Sequence, residues 1–306
     1  MIKVGCCGYP VSRHEYGETF RLVEVDRTFY KYPRLSTVVR WREEAPEDFE
    51  CTVKAHQEIS HGHRMMLEHA REPFERMKEI CRLLNSRILL IQSPASFRPD
   101  SLEEAVRFFE GIDRDGMTLV WETRGPLWET AEVRARLGTV LERLDIPHVT
   151  DPFKVMPVHA GPLAYFRLHG LGERMYYYQY TDEELSELCN LIMPLHAPNR
   201  GIYVLFNNLS MFEDARRFLS FISRGKFPSL TGAKGVESVR TVVSKTRFPL
   251  SRSMLMRKLG WRLAELEDGR QARLREILKH LPSKTYGSAE DLLKEMKLLT
   301  SGAVAC

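Results

Sequence analysis

Eight short runs of strand-forming residues lie along the first two thirds of the chain, and helix-like stretches separate most of them. A parallel strand needs a long crossover to reach its neighbour, and eight such strands can close into a barrel that has no edge. The pattern therefore predicts an α/β fold, a TIM-type (β/α)8 parallel barrel. The predicted strands are Lys3–Tyr9, Arg21–Tyr30, Phe49–Gln57, Arg87–Pro94, Met117–Arg124, Ile146–Phe153, Ala164–Gly170 and Ile202–Asn208.

The length of 306 residues accommodates such a barrel and one small additional unit. We expect the barrel over residues 1–222 and a linker rich in Gly, Ser and Lys over residues 223–246. A small basic α-helical domain is predicted over residues 247–306, with three short helices: one from Ser251, one around Gly269–Leu281 and one from Ser288.

The charge of the chain is unevenly distributed. Residues 223–306 carry 17 Lys and Arg against 8 Asp and Glu, a net charge of +9, whereas the rest of the chain carries −5. Such a split favours an anionic partner for the C-terminal segment, with nucleic acid as the candidate. The alternatives are a solvated helical surface, or a basic unit that docks on the acidic barrel.

Cysteine usage and hydropathy bear on the compartment. No apolar run approaches the ~18 residues of a membrane span, and the N-terminal residues are typical of a strand rather than a signal peptide. The six cysteines are scattered without a CxxC pair, which is typical of free thiols in a reducing compartment. We therefore expect a cytoplasmic protein without a membrane partner.

Polar side chains recur at a two-residue spacing where four predicted strands end. Residues two apart on a strand share a face, and the intervening Val25, Ala55 and Leu168 are apolar, so the polar sets should face the barrel axis. A self-satisfied ion-pair network is one interpretation; a ligand site is favoured because packed barrels normally fill with branched apolar side chains. The pairs are Glu24 and Asp26, Lys54 and His56, Glu122 and Arg124, and Arg167 and His169, with Gln92, Asp151 and Asn207 near other strand ends.

The mixture of charges favours an anion over a metal ion. His56 and His169 are suitable metal ligands, but Lys54, Arg124 and Arg167 would oppose a divalent cation and suit a phosphate or carboxylate. We therefore predict no metal and no cofactor. The remaining histidines considered, which lie on predicted loops or helix starts without a ligand spacing, are His14, His61, His63 and His69.

Aromatic residues crowd the predicted loops above the strand ends. Rings near cations suit stacking on a base or sugar, although packing of the barrel rim is the alternative for any single ring. We select Tyr180 as a substrate contact, and Gly-Leu-Gly at 170–172 as a flexible loop that would suit a phosphate. The other rings are Tyr9, Tyr30, Phe97, Trp128, Phe153, Tyr176, Tyr177 and Tyr178.

The ordered motifs VEVDRTFYKYP, FECTVKAHQEISH, LLIQSPASFRPD, WETRGPLW, FRLHG with YTDEEL, and YVLFNN resemble those of the YecE-like family, domain of unknown function number seventy-two. The resemblance covers roughly residues 1–222 and implies a TIM-type barrel with these polar residues at one end, without an established activity. Asp26 stands where the family usually has Asn, and Gly125 replaces a usual His. A mechanism that uses that His as acid or base is therefore in doubt for this chain.

These observations lead to three functional hypotheses. The first is a metal-independent hydrolase or lyase that acts on an anionic or phosphorylated substrate, such as a nucleotide or nucleic acid. The second is a non-catalytic nucleic-acid-binding protein, and the third is a carbohydrate-active hydrolase with paired carboxylates. The candidate catalytic residues are Glu24, Lys54, Glu122 and His169, and the candidate binding residues are Gln92, Arg124, Asp151, Arg167, Asn207 and Tyr180.

Overall fold

The structure is a computed structural model that describes residues 1–302, with side chains described through residue 298. It divides into two compact units. The barrel unit comprises residues 1–169, 186–207 and 211–219. The C-terminal unit comprises residues 170–185, 208–210 and the described chain from 220 onward.

Seven parallel strands form one sheet of the barrel unit, in the order β5-β4-β3-β2-β1-β7-β6. The α/β barrel predicted from the sequence is therefore confirmed. The strands are β1 (Ile2–Cys7), β2 (Leu22–Val25), β3 (Glu50–Lys54), β4 (Ile88–Gln92), β5 (Thr118–Glu122), β6 (Leu163–Leu168) and β7 (Gly201–Phe206).

The sixth predicted strand, Ile146–Phe153, is present only as two single bridges to the edge strands β5 and β6. His148 bridges Trp121 of β5, and Thr150 bridges Phe166 of β6. Pro147 lacks the N–H that a regular ladder needs, although its carbonyl accepts from the Trp121 N–H at 3.0 Å. This irregular segment therefore replaces the strand predicted over Ile146–Phe153.

The helices of the barrel follow the predicted alternation. In the helix from Leu67 to Leu83, the apolar residues at helical spacing, among them Ala70, Phe74 and Met77, are buried. A capping box opens another helix: Glu184 N–H donates to the Thr181 hydroxyl at 3.2 Å, and Thr181 N–H donates to the Glu184 carboxylate at 2.9 Å. The helices are α1 (Arg13–Thr19), α2 (Leu35–Glu43), α3 (Leu67–Leu83), α4 (Leu102–Gly111), α5 (Ala131–Leu144), α6 (Asp182–Ile192) and α7 (Met211–Arg224).

The barrel interior is layered because alternate residues of each strand share a face. A middle layer is mostly apolar and contains Leu22, Leu90, Val120, Tyr165 and Leu205. Polar side chains lie two residues further on, at the C-terminal strand ends. Gly5 allows the close approach of β1 and β2, because a Cβ there would lie 2.2 Å from the Leu22 carbonyl oxygen.

The C-terminal unit differs from the three-helix domain predicted for it. It contains four short strands in two antiparallel pairs, and a helix, α8, lies within the predicted linker, with Val239, Val242 and Val243 in the core of the unit. The stretch Gly269–Leu281, predicted as one helix, is helical only over Leu274–Leu278; its first residues belong to a β-hairpin in which Asp268-Gly269 makes the turn and Gly269 has φ +86°. The elements are α8 (Gly235–Val243), β8 (Leu250–Ser251), α9 (Arg252–Leu259), β9 (Leu263–Glu265), β10 (Gln271–Arg273), α10 (Leu274–Leu278), β11 (Thr285–Tyr286) and α11 (Ala289–Gly302).

Two further expectations concern the whole chain. No helix within residues 1–302 is long and apolar enough to cross a membrane. Five of the six cysteines fall in the described part of the chain, and all five are free thiols. Cys306 lies outside the described residues.

Candidate active site at the barrel mouth

Arg167 of β6 is the centre of the polar layer at the C-terminal strand ends. Its guanidinium donates from Nε and Nη2 to the two oxygens of Glu24, at 3.0 and 2.8 Å, and from Nη1 to Oε2 of Glu122 at 2.6 Å. All three side chains are buried. Burial by itself would lower the pKa of Arg167, but Glu24 and Glu122 outweigh it and hold the pKa well above its usual value. The two carboxylates therefore occupy the guanidinium on both sides.

Neutral donors add second hydrogen bonds to carboxylate oxygens that already accept from Arg167. The Gln92 amide donates to Oε2 of Glu122 at 2.7 Å, and the Tyr165 hydroxyl donates to Oε2 of Glu24 at 2.9 Å. Burial would raise the pKa of Glu122, but Arg167 and Arg124 reverse that effect and place it well below the usual range. Glu122 is therefore a fixed anion that holds its neighbours in place, and it is a poor proton acceptor.

A second arm of the network reaches toward solvent. Arg124 donates from Nε to Oε1 of Glu122 at 2.8 Å, and its Nη2 lies 3.5 Å from Nε2 of His169. The His169 backbone N–H donates to Oδ2 of Asp151 at 3.1 Å, and its Nδ1 lies 3.6 Å from the same oxygen. The Arg124 side chain is 31% exposed. One edge of a guanidinium and one imidazole are thus presented together at the mouth.

Lys54, at the end of β3, differs from the other cations of the mouth. Lys54 is 6% exposed, and its Nζ lies 3.8 Å from the centroid of the Phe29 ring. Within residues 1–298, Nζ has no hydrogen bond and no carboxylate within 4.0 Å. Burial, followed by repulsion from Arg167, lowers the pKa of Lys54 to about 8. Lys54 is therefore a buried amine whose charge has no direct counter-ion.

Asp26 and His61 lie in the electrostatic environment of Lys54. Burial, and then the negative charge of Glu24, raises the pKa of Asp26. Burial, and then Lys54 and Arg124, lowers the pKa of His61, whose ring packs edge-on against Phe29 at 5.0 Å. His61 was not selected from the sequence, because it lacks a metal-ligand spacing. It lies in the π-helical turn Glu58–Gly62, in the segment that follows β3, and that segment was the sequence signal for a place at the mouth.

Three other selected residues do not join this network. His56 stacks on Tyr32 at 3.9 Å, with its Nδ1 3.5 Å from Glu58. Asn207 is half-buried, and its backbone N–H donates to the Leu168 carbonyl at 2.8 Å. Tyr180 belongs to the C-terminal unit, where it is fully buried and its hydroxyl accepts from the Gly170 N–H at 2.8 Å. The Tyr180 ring therefore offers no face for a substrate to stack on.

A cleft of about 260 Å³ adjoins the exposed side of Arg124. It is lined by Arg98, Leu127 and Trp128, among others, and the Trp128 indole N–H is fixed by the Phe97 carbonyl at 2.8 Å. The cleft thus combines two guanidinium groups with an apolar wall. Within the described residues, no group of three or more His, Cys, Asp or Glu is arranged to hold a metal ion.

The comparison with protein families decides the relationship that the motifs suggested. The model of the family described as "Protein of unknown function DUF72" matches residues 11–227. The chain belongs to the DUF72 family. A comparison with curated proteins gives no match.

Solved DUF72 structures share the barrel. A DUF72 protein from Enterococcus faecalis aligns with a TM-score of 0.61 at 19% identity, over 73% of this chain and 97% of its own. A DUF72 protein from Thermotoga maritima aligns with a TM-score of 0.56 at 23% identity, over 73% of this chain and 100% of its own. A xylose isomerase domain containing protein from Salmonella typhimurium gives 0.50 at 13% identity, over 73% and 97%. At these identities the likeness shows the fold alone.

Proposed function

We propose that this DUF72 protein is an enzyme that binds a small anionic substrate at the barrel mouth and uses Lys54 as its general base. The observation that carries the proposal is the buried Lys54 amine without a carboxylate partner. A buried charge is costly unless it is paired, so such a group persists where a ligand completes it or where its neutral form is needed.

The charges around Lys54 favour an anion as that ligand. Arg167 is occupied by Glu24 and Glu122, so it stabilises the layer and has no free edge for a substrate. Arg124 keeps Nη atoms near His169 at the solvent side. A phosphate or carboxylate at the Arg124 Nη atoms would receive charge-assisted hydrogen bonds there and leave the Lys54 amine for the reacting part of the substrate, while the adjoining cleft accommodates the rest of the molecule.

The proton chemistry follows from the perturbed pKa values. With a pKa of about 8, roughly a tenth of Lys54 is neutral at pH 7 and is able to accept a proton. Burial and the charge of Glu24 raise the pKa of Asp26, which lies in the electrostatic environment of Lys54. This arrangement supports proton abstraction from a bound substrate, the lyase branch of the enzyme hypothesis. In this proposal Glu24 and Glu122 change from candidate bases to positioning residues.

The carbohydrate-hydrolase hypothesis fits the geometry less well. A glycosidase needs two carboxyl groups free to flank the scissile bond, one of them with a raised pKa. Glu24 and Glu122 instead share one buried guanidinium, and the pKa of Glu122 is held well below its usual value. The two carboxylates are therefore ill suited to that reaction.

The test is to measure the reactivity of individual lysines by trace acetylation and mass spectrometry across pH 6–11. Lys54 should titrate near pH 8, and inorganic phosphate bound at the mouth should protect it from acetylation. Lys3 is the matched control, because it is a barrel lysine whose pKa is raised by Glu50 and Tyr203 against the effect of burial. A Lys54 that titrates with Lys3, and that neither phosphate nor a panel of sugar phosphates and carboxylates protects, would overturn the proposal.

A further inference from the structure

The C-terminal unit contains a cleft of its own, of about 210 Å³. One wall is the loop from Gly170 to Tyr180, and the other is formed by the end of α9, the residue Trp261 that follows it, and the start of α10. All of the lining residues belong to the C-terminal unit. Those that matter here are Arg174, Tyr177, Arg257, Trp261 and Arg275.

Three arginines of this cleft lack an acidic partner. In the part of the chain with described side chains, Arg174, Arg257 and Arg275 form no ion pair. Other basic residues of the unit are paired, as Arg270 is with Asp268 and Lys279 with Glu276. Three unpaired guanidinium groups around one cleft, which also contains Glu173, form a local excess of positive charge.

A fourth arginine holds the walls of the cleft together. Arg273 donates from Nη1 to the backbone carbonyls of Gln179 and Trp261, at 3.1 and 3.2 Å, and its Nη2 lies 3.5 Å from Glu184. It also lies over the Tyr178 ring, at 4.1 Å from the centroid. Because its donors are used within the unit, Arg273 fixes the loop from Gly170 to Tyr180 against β9 and β10.

Aromatic rings lie among the unpaired arginines. Trp261 and Tyr177 meet edge to face at 6.1 Å, and both are only partly buried. Arg174 stacks on Tyr177 at 3.3 Å, and the Trp261 indole N–H is fixed by the Lys258 carbonyl at 2.8 Å. Rigid rings beside free guanidinium groups provide stacking and charge at one place.

The backbone of the loop is built for this close packing. Gly170 has φ +90°, and a Cβ there would lie 2.4 Å from Cβ of Tyr178. Tyr176 has φ +70°, a conformation that a bulky residue rarely adopts, and its carbonyl is held by the Leu209 N–H at 2.9 Å. The strained turn places Arg174 and Tyr177 on one wall of the cleft.

The geometry points to a binding site for single-stranded nucleic acid in this cleft, with phosphates held by Arg174, Arg257 and Arg275 and one base stacked on Trp261. Single strands expose base faces to aromatic rings, whereas a duplex keeps its bases stacked on one another. An acidic peptide would use the arginines but would gain little from the rings. This site is separate from the residues of the barrel mouth, so its test does not depend on the proposed enzymatic function.

The test measures binding of fluorescein-labelled 12-nucleotide single strands, U12 and dT12, to the full chain by anisotropy at several salt concentrations. Trp261→Ala should weaken binding roughly tenfold, and Trp261→Phe should restore most of the loss. The double variant Arg257→Gln/Arg275→Gln should weaken binding and reduce the slope of log K against log salt by about 1.4, since each phosphate contact on a single strand contributes about 0.7.

The matched control is Lys226→Gln/Lys245→Gln, which removes the same charge from exposed positions of the same unit outside the cleft. It should change the affinity and the salt slope less than the arginine pair does. Equal effects of the two double variants, an unchanged affinity in Trp261→Ala with an intact circular dichroism spectrum, or equal competition by poly-aspartate and by unlabelled oligonucleotide would each overturn the proposal.

Discussion

The two ends of the barrel each contain a lysine that faces the interior, and the surroundings of the two lysines shift their pKa values in opposite directions. At the N-terminal end, Lys3 of β1 pairs with Glu50 and hydrogen-bonds the Tyr203 hydroxyl at 3.0 Å. At the C-terminal end, Lys54 lies against the Phe29 ring with no carboxylate in contact. The pKa of Lys3 is raised and that of Lys54 is lowered, although burial acts downward on both.

The two lysine pKa values differ because of the hydrogen-bond and ion-pair partners of each ammonium group, and not because of burial alone. At the N-terminal end, Lys3 is matched by Glu50, as expected for residues that only stabilise the fold. At the mouth, Glu24 and Glu122 pair with Arg167, and Asp26 is not within 4.0 Å of the Lys54 ammonium, so Lys54 has no carboxylate in contact. A barrel selected for stability alone would not leave an amine in this state, which is why the mouth is the candidate active site.

The largest expected effect is that of removing Arg167. In Arg167→Met, Glu24 would remain buried without a counter-charge and Glu122 would keep only Arg124, so the free energy of unfolding should fall by about 4 kcal/mol at pH 7. The loss should shrink between pH 7 and pH 5. The unpaired Glu24 of the variant then takes up a proton, whereas in the wild type the depressed pKa of Glu122 gives stability that disappears only below its unfolded pKa.

Urea unfolding at pH 7 and pH 5 measures this effect, with two comparison variants. Arg143→Met removes an exposed ion pair with Glu110 and should cost about 0–1 kcal/mol at either pH. Arg167→Lys keeps the charge but loses the fork and should fall in between. A loss in Arg167→Met that does not depend on pH would show that the carboxylates are not the groups left uncompensated.

The second effect is the pH dependence that Lys54 itself causes. Its pKa of about 8 in the folded protein lies below the usual lysine value of 10.5, so the unfolded chain binds more protons between these two values. The stability of the wild type relative to Lys54→Met should therefore rise by about 2 kcal/mol between pH 7.5 and pH 9.5. Denaturant unfolding of both proteins in that range measures the difference, and a constant difference contradicts the lowered pKa.

The third comparison replaces each of the two lysines by methionine, in separate variants, at pH 7. Lys3→Met leaves Glu50 without its ammonium partner and should cost about 1 kcal/mol, a small value because both groups are partly exposed. Lys54→Met should fold with a stability equal to or above that of the wild type, because it removes a buried charge that has no direct partner. The opposite ranking, with Lys54→Met the less stable variant, would mean that Lys54 has a structural role.

Much of the fold could be predicted because periodicity is local information. The two-residue spacing in the strands and the helical spacing in segments such as α3 specify which faces are buried. The prediction of a regular strand over Ile146–Phe153 was wrong in detail, because Pro147 interrupts the ladder of hydrogen bonds. In the C-terminal unit, the sequence Asp268-Gly269 is typical of a hairpin turn. Because it lies among charged residues, the stretch was predicted as helix instead.

The chemistry of the mouth was less predictable, because it depends on which atoms meet. The sequence indicated that Glu24, Glu122 and Arg167 lie near strand ends, but strand register decides that both carboxylates bond the same guanidinium. The consequence for Lys54, an amine without a partner, exists only once those contacts are known. For the same reason, Tyr180 was selected as a substrate contact from its neighbours in sequence, and burial removed its ring from that role.

The smallest expected effect distinguishes the two ends through a pair of tyrosines. Tyr165 and Tyr203 stack in the barrel interior with centroids 5.9 Å apart, and each donates its hydroxyl hydrogen to a glutamate: Tyr165 to Glu24 at 2.9 Å and Tyr203 to Glu50 at 2.6 Å. Glu50 is 30% exposed, so water can replace the lost donor in Tyr203→Phe, whereas Glu24 is fully buried. Tyr165→Phe also removes the partner of the Thr52 hydroxyl at 2.7 Å. Tyr165→Phe should therefore cost about 1 kcal/mol more than Tyr203→Phe in urea unfolding at pH 7. Equal losses would mean that water reaches Glu24, and the contrast between a dry, matched network around Arg167 and a solvated one around Lys3 would then not hold.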